Sequence, residues 1–516
     1  MKRLLLSLLL LPLPLAQAAA PEQTWFDAAV EQAFARYHLP GLAVGVIEDG
    51  KVAHVKTLGE LAAGGGDRVD AETLFKIASN SKAMTAGVLA RLVDRGKLKW
   101  DDPVVKHLPQ FRMHDDWVTQ HMQVRDLLIH NSGLGAGAGD LMFWPEPNAY
   151  TRADIIRGLR YLKPQYGFRS GYAYDNSLYV VAGEVAAAVG GKPYAQLVSD
   201  ELFTPLGLSR CQAGAWSRAQ VGNVATPHSR TRQGNQPQRE SEDVPDETML
   251  AAGGIRCSLN DMLKWVGMWL DPQSTWLSAE QRRAVWSAQT PMPVSRRMRD
   301  WDNSHFSAYG YGWRLSDVDG AWKVAHTGTL SGMYSSVILL PDLRVGIVIL
   351  TNGEGEAMRT VLGEVLTKHY TVPQENATVA HYGDLLDGED DGRAAPSRAP
   401  DTSRRVAAKP AEFAGLLGVY EDPWFGRATV CAAGGKVEFR AEKSPLLAGT
   451  LMRVGARWLI DWRDDSVDAE AWADFSPAHA AAPASLKLAL VDPDADFSYD
   501  YQDLDFVRRD DCPVSR

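Results

Sequence analysis

The stretch that decides the fold reads Phe75-Lys76-Ile77-Ala78-Ser79-Asn80-Ser81-Lys82-Ala83-Met84-Thr85-Ala86. The apolar residues that continue it recur at helical spacing and stop before Gly96, so they predict a helix with Ser79 as its N-cap. Lys82 then lies one turn along the same face, where its amine can reach the Ser79 hydroxyl. A hydroxyl needs a neighbouring base, and a lysine serves when burial or a nearby cation lowers its pKa. Ser79 and Lys82 are therefore candidates for nucleophile and base, although S-x-x-K alone also fits a plain cap beside an exposed charge.

Two further short motifs carry residue types that such a site needs. Tyr174–Asn176 (Tyr-Asp-Asn) comes just before an apolar run that predicts a buried helix, and it offers a phenol to shuttle a proton and an amide to hold a carbonyl. His326–Thr329 (His-Thr-Gly-Thr) lies just before a predicted strand, and its glycine would let a substrate backbone approach closely. Taken singly, these motifs also fit an ordinary loop leading into a helix and a plain strand with a surface histidine.

The first twenty residues have the pattern of a secretory signal peptide. A charged start precedes an apolar run over 4–15 and the small-residue segment Ala16-Gln17-Ala18. The run is too short and wrongly flanked for a spanning helix, and no cysteine sits at the cleavage site to carry a lipid; a retained anchor is the alternative. We therefore expect a signal peptide over 1–20, a periplasmic or secreted protein, and no integral membrane span once the signal is removed.

Length and charge exclude several classes of protein. The 516 residues are enough for two or three domains, and 45% hydrophobic with 23% charged residues is ordinary for soluble globular proteins. The net charge of -10 and the absence of a basic block argue against nucleic acid as a partner. No H-E-x-x-H pair occurs and the histidines lack ligand spacing, so no metal is expected. The sequence leaves the oligomeric state open.

Apolar periodicity predicts an α/β body over 21–371. A helix ending at Tyr37 is followed by a hairpin of strands 42–47 and 52–58 around an Asp-Gly turn. Two more strands, 335–340 and 345–351, precede a helix ending at Tyr370. We expect these strands to form an antiparallel sheet flanked by helices, beside a helical region that carries Tyr174. The polar segment 212–246 indicates a surface excursion or a lid.

The end of the chain has a different composition. Residues 372–408 are acidic and then rich in Ala, Pro, Ser and Arg, which is typical of a linker. From 409 to 516, short alternating runs separated by Gly and Pro turns predict a small all-β domain, barrel or sandwich, without catalytic residues of its own.

The four cysteines suggest two local disulfides. In an exported protein they can pair, and their positions favour Cys211 with Cys257 and Cys431 with Cys512. Sequence does not fix the connectivity, so buried free thiols are the alternative.

The three motifs together resemble one superfamily. Ser79–Lys82, Tyr174–Asn176 and His326–Gly328 follow the order of the S-x-x-K, S-D-N and K-T-G motifs of serine β-lactamases and penicillin-binding proteins. The tyrosine of the middle motif resembles the class C branch, which includes class C β-lactamases, D-alanyl-D-alanine carboxypeptidases, D-aminopeptidases and esterases. The resemblance covers about residues 21–370 and implies a β-lactamase/transpeptidase-like α/β (α+β) body. Residues 409–510 resemble, more weakly, the small β-barrel often appended to this branch.

The resemblance implies a role for each matched residue. Ser79 would be the acylated nucleophile, Lys82 its activating neighbour, and Tyr174 the general base and then the acid. Asn176 would bind the substrate amide, and the N–H groups of Ser79 and Thr329 would form the oxyanion hole. The residues that would contact substrate on the last motif are His326, Thr327, Gly328 and Thr329. No cofactor is implied.

His326 departs from the lysine that many relatives have at this position. A histidine of ordinary pKa is mostly neutral at pH 7, so capture of a substrate carboxylate should be weaker. This favours an exported serine hydrolase that forms an acyl-enzyme on an amide or ester of a small molecule or peptide, as a peptidase, D-aminopeptidase or carboxypeptidase. A class C-like β-lactamase or an esterase is one alternative. A non-catalytic protein that binds penicillin or peptidoglycan fragments is another, against which the intact Ser79, Lys82 and Tyr174 speak.

Overall fold

The computed structural model describes residues 24–231, 234–393, 399–480 and 482–513, and the predicted signal peptide lies outside them. No helix of the described ranges is both long and apolar enough to span a membrane. The longer helices are α1 (Trp25–Tyr37), α2 (Ser81–Asp94), α3 (Ser177–Gly190), α4 (Leu259–Leu270), α5 (Glu356–Thr371) and α6 (Val379–Arg393). Shorter helices are Val104–His107, Asp116–His121, Arg152–Gly158, Tyr194–Val198, Thr204–Leu206, Arg218–Val221, Ala279–Val285 and Arg296–Asp300.

One antiparallel sheet of eight strands forms the centre of the body. Its strands are β1 (Gly41–Glu48), β2 (Lys51–Gly59), β3 (Thr290–Pro291), β4 (Ser307–Tyr309), β5 (Arg314–Val318), β6 (Ala321–Leu330), β7 (Met333–Leu340) and β8 (Val345–Thr351). Their order across the sheet is β2-β1-β8-β7-β6-β5-β4-β3. The N-terminal hairpin therefore joins the last strands of the body, as the sequence predicted.

Helices cover both faces of this sheet. Strand β8 is buried along its whole length, and its side chains alternate between two cores. Ile347 and Ile349 pack in the core formed with α1, α5 and α6, whereas Val348 and Leu350 pack in the core shared with α2 and α4. The sheet is thus the middle layer of a β-lactamase/transpeptidase-like body.

The helix α6 corrects part of the predicted linker. Its residues Val379, Tyr382 and Leu386 are buried in the same core as α1 and α5. They recur at i, i+3 and i+7, a helical apolar stripe that the acidic composition concealed. The exposed face of α6 carries Asp384 and Asp387, which pair with Arg36 of α1 at 2.9 and 2.7 Å. The prediction of a linker is therefore wrong for residues 379–393.

The C-terminal part is a closed β-barrel. Its strands are β9 (Val406–Ala407), β10 (Gly418–Asp422), β11 (Gly426–Ala433), β12 (Lys436–Ala441), β13 (Ala448–Val454), β14 (Arg457–Trp462), β15 (Ala471–Ser476), β16 (Ser485–Leu490) and β17 (Phe506–Asp510). They run in the order β9-β13-β12-β11-β10-β17-β16-β15-β14, and pairing of β13 with β14 closes the barrel.

Two disulfides join the four cysteines in the pairs that their positions suggested. Cys211 is bonded to Cys257, which precedes α4, and Cys431 of β11 is bonded to Cys512 near the end of the barrel. The polar segment 212–246 contains, in its described residues, two small ribbons, Trp216–Ser217 with Asp243–Val244 and His228–Thr231 with Gly234–Pro237.

Candidate active site

Ser79 lies on a short turn at the beginning of α2. The turn is the 3-10 segment Ala78–Asn80, which continues directly into the helix, and no side chain caps α2. Asn80 Nδ2 donates to Ser335 Oγ of β7 at 2.8 Å, and Ser335 Oγ donates to the Ile77 carbonyl at 2.6 Å, so the sheet holds the turn in place. The expectation that Ser79 is the N-cap is wrong, because the 3-10 turn precedes the helix. Its hydroxyl is instead directed into a cleft that Ser79 lines.

Lys82 follows Ser79 by three residues, and its side chain is fully buried. Its Nζ donates to Ser79 Oγ at 3.2 Å, to Asn176 Oδ1 at 2.7 Å and to the Ala252 carbonyl at 2.9 Å. The pKa of the amine is lowered from 10.5 to about 7; burial is the largest cause, the charge of Asp140 opposes the shift, that of Arg314 adds to it, and that of Asp175 opposes it. About half of the Lys82 amines are therefore neutral at pH 7 and able to accept a proton.

Tyr174 completes the group that can handle protons. Its ring centroid lies 4.7 Å from Lys82 Nζ, and Tyr174 lines the cleft together with Ser79. Burial raises the pKa of the phenol to about 12, so Tyr174 carries its proton at neutral pH. Of the two groups, Lys82 is the one whose protonation changes near neutrality, and Tyr174 is the proton donor beside the nucleophile.

Asn176 connects this group to a buried carboxylate. Its Oδ1 accepts from Lys82 Nζ, and its Nδ2 donates to Asp140 Oδ2 at 2.7 Å. One N–H of the amide is thus committed to Asp140, and Asn176 also lines the cleft. Sequence reasoning missed Asp140, because it lies in a loop 36 residues away with no motif around it.

His326 does not occupy a substrate-binding position. It is 1% exposed; its Nδ1 donates to the Thr327 carbonyl at 2.7 Å and its Nε2 accepts from Tyr309 O–H at 2.8 Å. The carbonyl can only accept, which fixes the neutral tautomer with the proton on Nδ1. Burial, followed by the charges of Arg314 and Lys82, keeps the pKa of His326 well below 6.5. The expected contact of His326 with substrate is wrong, because both ring nitrogens are used within the fold.

Three arginines, Arg230, Arg314 and Arg359, line the cleft, and two of them are hydrogen-bonded to the strand of the last motif. Arg314 Nη1 donates to Thr327 Oγ1 at 3.0 Å, and Arg359 Nη1 donates to the Gly328 carbonyl at 2.6 Å and to Thr329 Oγ1 at 2.9 Å. Both arginines line the cleft, as do Thr327 and Thr329. Sequence reasoning missed them, although Arg314 directly follows the Tyr-Gly-Tyr-Gly-Trp stretch that ends at Trp313.

Gly328 allows close packing of its strand against the nucleophile turn. A Cβ at this position would lie 2.3 Å from the Ile77 carbonyl and 3.0 Å from Ala78 Cβ. Strand β6 therefore passes directly against the turn that carries Ser79. The close approach of a substrate backbone to this strand stays a prediction.

The cleft has a volume of about 790 Å³ and is formed by both parts of the chain. Ser79, Tyr174 and Arg314 line it from the body, and residues of the C-terminal barrel line it from the other side. The barrel residues at the cleft are Asp465, Ser466, Asp468, Asp496, Phe497, Ser498 and Tyr499. The Phe497 ring meets the Tyr174 ring edge-on at 6.0 Å. The barrel is thus a wall of the site, which its lack of a catalytic motif did not indicate.

A family model described as Beta-lactamase matches residues 26–369, two thirds of the chain, and spans all three motifs. The chain belongs to the Beta-lactamase family. Membership places it among the serine hydrolases at a general level, in agreement with the arrangement of Ser79, Lys82 and Tyr174. A second model, a domain of unknown function (DUF3471), matches residues 402–508, which contain the barrel.

Several curated members of this family are similar to the chain. "Unguisins hydrolase ungD'" of Aspergillus campestris is 27% identical over 67% of the chain and 64% of its own length, and ungD of Aspergillus violaceofuscus is 25% identical over 63% and 60%. The chain therefore spans less than two thirds of the length of these two relatives. Penicillin-binding protein 4 of Amycolatopsis lactamdurans is 27% identical over 64% of the chain and 86% of its length. The octameric penicillin-binding protein homologue from Pyrococcus abyssi shares the fold, with a TM-score of 0.57, 19% identity, and coverage of 94% of this chain and 99% of that one.

Proposed function

We propose that this Beta-lactamase-family protein is an exported serine peptidase of the carboxypeptidase type, which forms an acyl-enzyme on Ser79. The observation that carries the proposal is the state of Lys82, whose amine is buried, has a pKa of about 7 and lies 3.2 Å from Ser79 Oγ. Burying an amine is costly, and a protein that only binds a ligand has no use for a neutral base against a serine hydroxyl. Two of the curated relatives are named hydrolases, which agrees with a catalytic role.

The proposed acylation uses the three side chains as one unit. Ser79 Oγ forms a bond to the substrate carbonyl carbon while its proton passes to Lys82. Tyr174, whose phenol keeps its proton at neutral pH, donates that proton to the leaving nitrogen as the C–N bond breaks, and Lys82 returns a proton to Tyr174. The backbone N–H groups of Ser79 and Thr329 would hold the oxyanion. Water then attacks the ester, and the same groups act in reverse to restore Ser79.

Two arginines beside the nucleophile support a substrate with a free carboxylate, although the cleft as a whole is also lined by six acidic residues. Arg314 is held by Thr327, and Arg359 by Thr329, so the two guanidinium groups flank the strand beside the nucleophile. Arginine pairs with carboxylates through two parallel N–H bonds and is charged at every physiological pH. We infer that Arg314 takes the role for which neutral His326 is unsuited, which favours peptides that end in a free carboxylate.

Export is part of the same proposal. The bonds Cys211–Cys257 and Cys431–Cys512 use all four cysteines, and structural disulfides persist in oxidising compartments. This supports a periplasmic or secreted location. Detection of the protein in a periplasmic or culture fraction, with residues 1–20 absent from its N-terminus, would test it.

A hydrolysis panel tests the activity. The purified protein and Ser79→Ala are assayed with D-Ala-D-Ala peptides, D-amino-acid amides, nitrocefin and short acyl esters. We expect turnover of the D-peptides that is lost in Ser79→Ala. Turnover confined to nitrocefin or to esters would identify a β-lactamase or an esterase, and a stable adduct on Ser79 without turnover would identify a penicillin-binding protein.

Arg314→Ala tests the carboxylate contact. A charged hydrogen bond contributes about 1.5–3 kcal/mol, so KM for a D-peptide should rise about 10- to 150-fold. The same peptide with an amidated C-terminus is the matched control, and its KM should not change. Measurements at pH 9 keep Lys82 neutral in both proteins, because Arg314 also lowers the pKa of Lys82. An equal loss with both peptides would contradict the proposed contact.

A further inference from the structure

One buried carboxylate of the C-terminal barrel reaches the loop behind the active site. Asp500, in the segment between β16 and β17, is fully buried, and its Oδ2 accepts from the Gly139 N–H at 2.5 Å. Gly139 directly precedes Asp140, which begins the 3-10 turn Asp140–Met142. A side chain of the barrel therefore holds the backbone next to Asp140.

Asp140 is the next group on a path to the nucleophile. Its carboxylate is fully buried and accepts from Asn176 Nδ2 at 2.7 Å. That bond fixes which end of the Asn176 amide faces Lys82, so Oδ1 accepts from the lysine amine at 2.7 Å. Lys82 in turn donates to Ser79. Four successive polar contacts connect Asp500 to the nucleophile, and each side chain on the path between them is buried.

The same loop also contacts Tyr174 and the barrel through its backbone. Gly137 N–H donates to the Tyr174 carbonyl at 2.9 Å. Gly137 has φ +72°, and a Cβ there would lie 2.4 Å from the Phe497 carbonyl of the barrel. No side chain fits between the two backbones. The loop is therefore clamped between the barrel and the residues that handle protons.

We propose that Asp500 is a positioning residue through which the C-terminal barrel sets the orientation of Asn176 and Lys82. This rests on the proposed function of Ser79. When Asp500 holds the turn, Asp140 stays beside Asn176. Burial raises the pKa of Asp140 well above its usual range, and in its ionised form Asp140 opposes the lowering of the Lys82 pKa. The other titratable groups near Asp140 are Asp175 and Lys82, and those near Asp500 are Asp503 and Asp140. Asp500 does not touch the reacting atoms. Through this residue the barrel acts on catalysis indirectly, by positioning other side chains.

The test compares Asp500→Ala, Asp500→Asn and Asp494→Ala in the full-length protein. The measurement is the second-order rate constant for labelling of Ser79 by a fluorophosphonate between pH 5 and 9. Asp500→Ala should label about 10- to 100-fold more slowly, as expected for a shift of about 1 Å in a catalytic group. The rise of its labelling rate with pH (the acid limb of the profile) should move to lower pH, because the Asp140 charge that raises the Lys82 pKa is displaced. Asp500→Asn, whose amide oxygen can accept the same N–H, should stay close to wild type, and so should Asp494→Ala, an exposed position in the same segment.

Two results would overturn the proposal. One is wild-type labelling and an unshifted acid limb in Asp500→Ala, and the other is a loss in Asp500→Asn as large as that in Asp500→Ala. A cycle with Asp140→Ala adds a check, because groups on one path are non-additive. The double variant should be no slower than the slower single variant, and a product of the two losses would contradict the path. If Asp500→Ala does not fold, Asp500→Ser replaces it, since its shorter side chain reaches the Gly139 N–H less well, and an intermediate loss is expected.

Titration of Lys82 separates this proposal from the function on which it rests. The ¹³Cε signal of Lys82, assigned by its loss in Lys82→Arg, reports the pKa of the amine without any activity. Asp500→Ala should lower the midpoint and Asp494→Ala should leave it unchanged. If the wild-type protein is not labelled at Ser79, the proposed function fails, and an unchanged midpoint in Asp500→Ala would then refute the positioning role separately.

Discussion

The pH dependence of Ser79 acylation is the most direct consequence of the buried amine. With an ordinary pKa of 10.5, only about one Lys82 in 3000 would be neutral at pH 7, whereas with a pKa of about 7 half are neutral. Burial therefore raises the fraction of enzyme that is ready to accept the Ser79 proton by about 1500-fold. Lys82 is the base only if the labelling rate follows this fraction.

The expected profile is a single acid limb with a midpoint near pH 7. The labelling rate of Ser79 by a fluorophosphonate should be about a tenth of its plateau at pH 6 and about nine tenths at pH 8. Tyr174, with a pKa of about 12, does not titrate in this range. The pKa of His326 lies well below 6.5, so this ring does not produce the limb either. Above pH 8 the labelling rate should be constant, because nearly all Lys82 amines are then neutral.

Asp175 could imitate this behaviour, since burial raises its pKa to about 7 as well. Asp175→Asn distinguishes the two groups. The Asp175 charge raises the pKa of Lys82, so its removal should move the limb to lower pH if Lys82 is the titrating group. If Asp175 were the titrating group, the limb would disappear. Lys82→Arg stays charged throughout and should lose about 100- to 10,000-fold in rate with no limb left. A limb that survives in Lys82→Arg would refute the assignment.

Two further predictions concern His326 and Gly328 of the last motif. His326 is held neutral, so the unfolded chain takes up a proton that the folded protein refuses, and stability should fall as the pH drops below 6.5, by up to about 1.4 kcal/mol per pH unit. Urea titrations at pH 7.5 and 5.5 should therefore show a smaller loss in His326→Gln, and identical losses would contradict buried neutrality. Gly328→Ala places a methyl group 2.3 Å from a carbonyl of the nucleophile turn and should slow labelling about 100-fold. Gly171→Ala, with no atom within 4 Å of the added carbon, should label like wild type, and an equal effect of both would refute the packing role of Gly328.

Features set by local pattern could be predicted from the sequence. The hairpin of β1 and β2 follows from alternating apolar residues around Asp49-Gly50, and α4 begins at Ser258, which accepts from the Asp261 N–H at 3.2 Å as a capping serine does. The order of the three motifs was enough to name the superfamily. Their convergence places Lys82 within hydrogen-bonding distance of both Ser79 and Asn176.

Features set by tertiary contact could not be predicted in this way. Asp140 acts through Asn176, and Asp500 acts through a loop 361 residues away, so no local pattern marks either residue. The composition of 372–408 was dominated by charge, and only the burial of Tyr382 and Leu386 shows that α6 belongs to the body. Burial also decides the protonation of His326 and Lys82, which their residue types alone leave undetermined.

The change from lysine to histidine in the last motif is explained by the strand beside it. Arg314 begins β5, and in the antiparallel register it lies opposite Ala325, the residue next to His326. An arginine on this strand reaches Thr327 of β6, so the positive charge is supplied from the neighbouring strand rather than from the motif itself. Position 326 then needs no charge and can be buried against Tyr309. A lysine at 326 would add a third buried cation beside Arg314 and Lys82. Its charge would lower the pKa of Lys82 further. The neutral His326 and the charged Arg314 therefore depend on each other. His326→Lys alone should lower the activity rather than raise it.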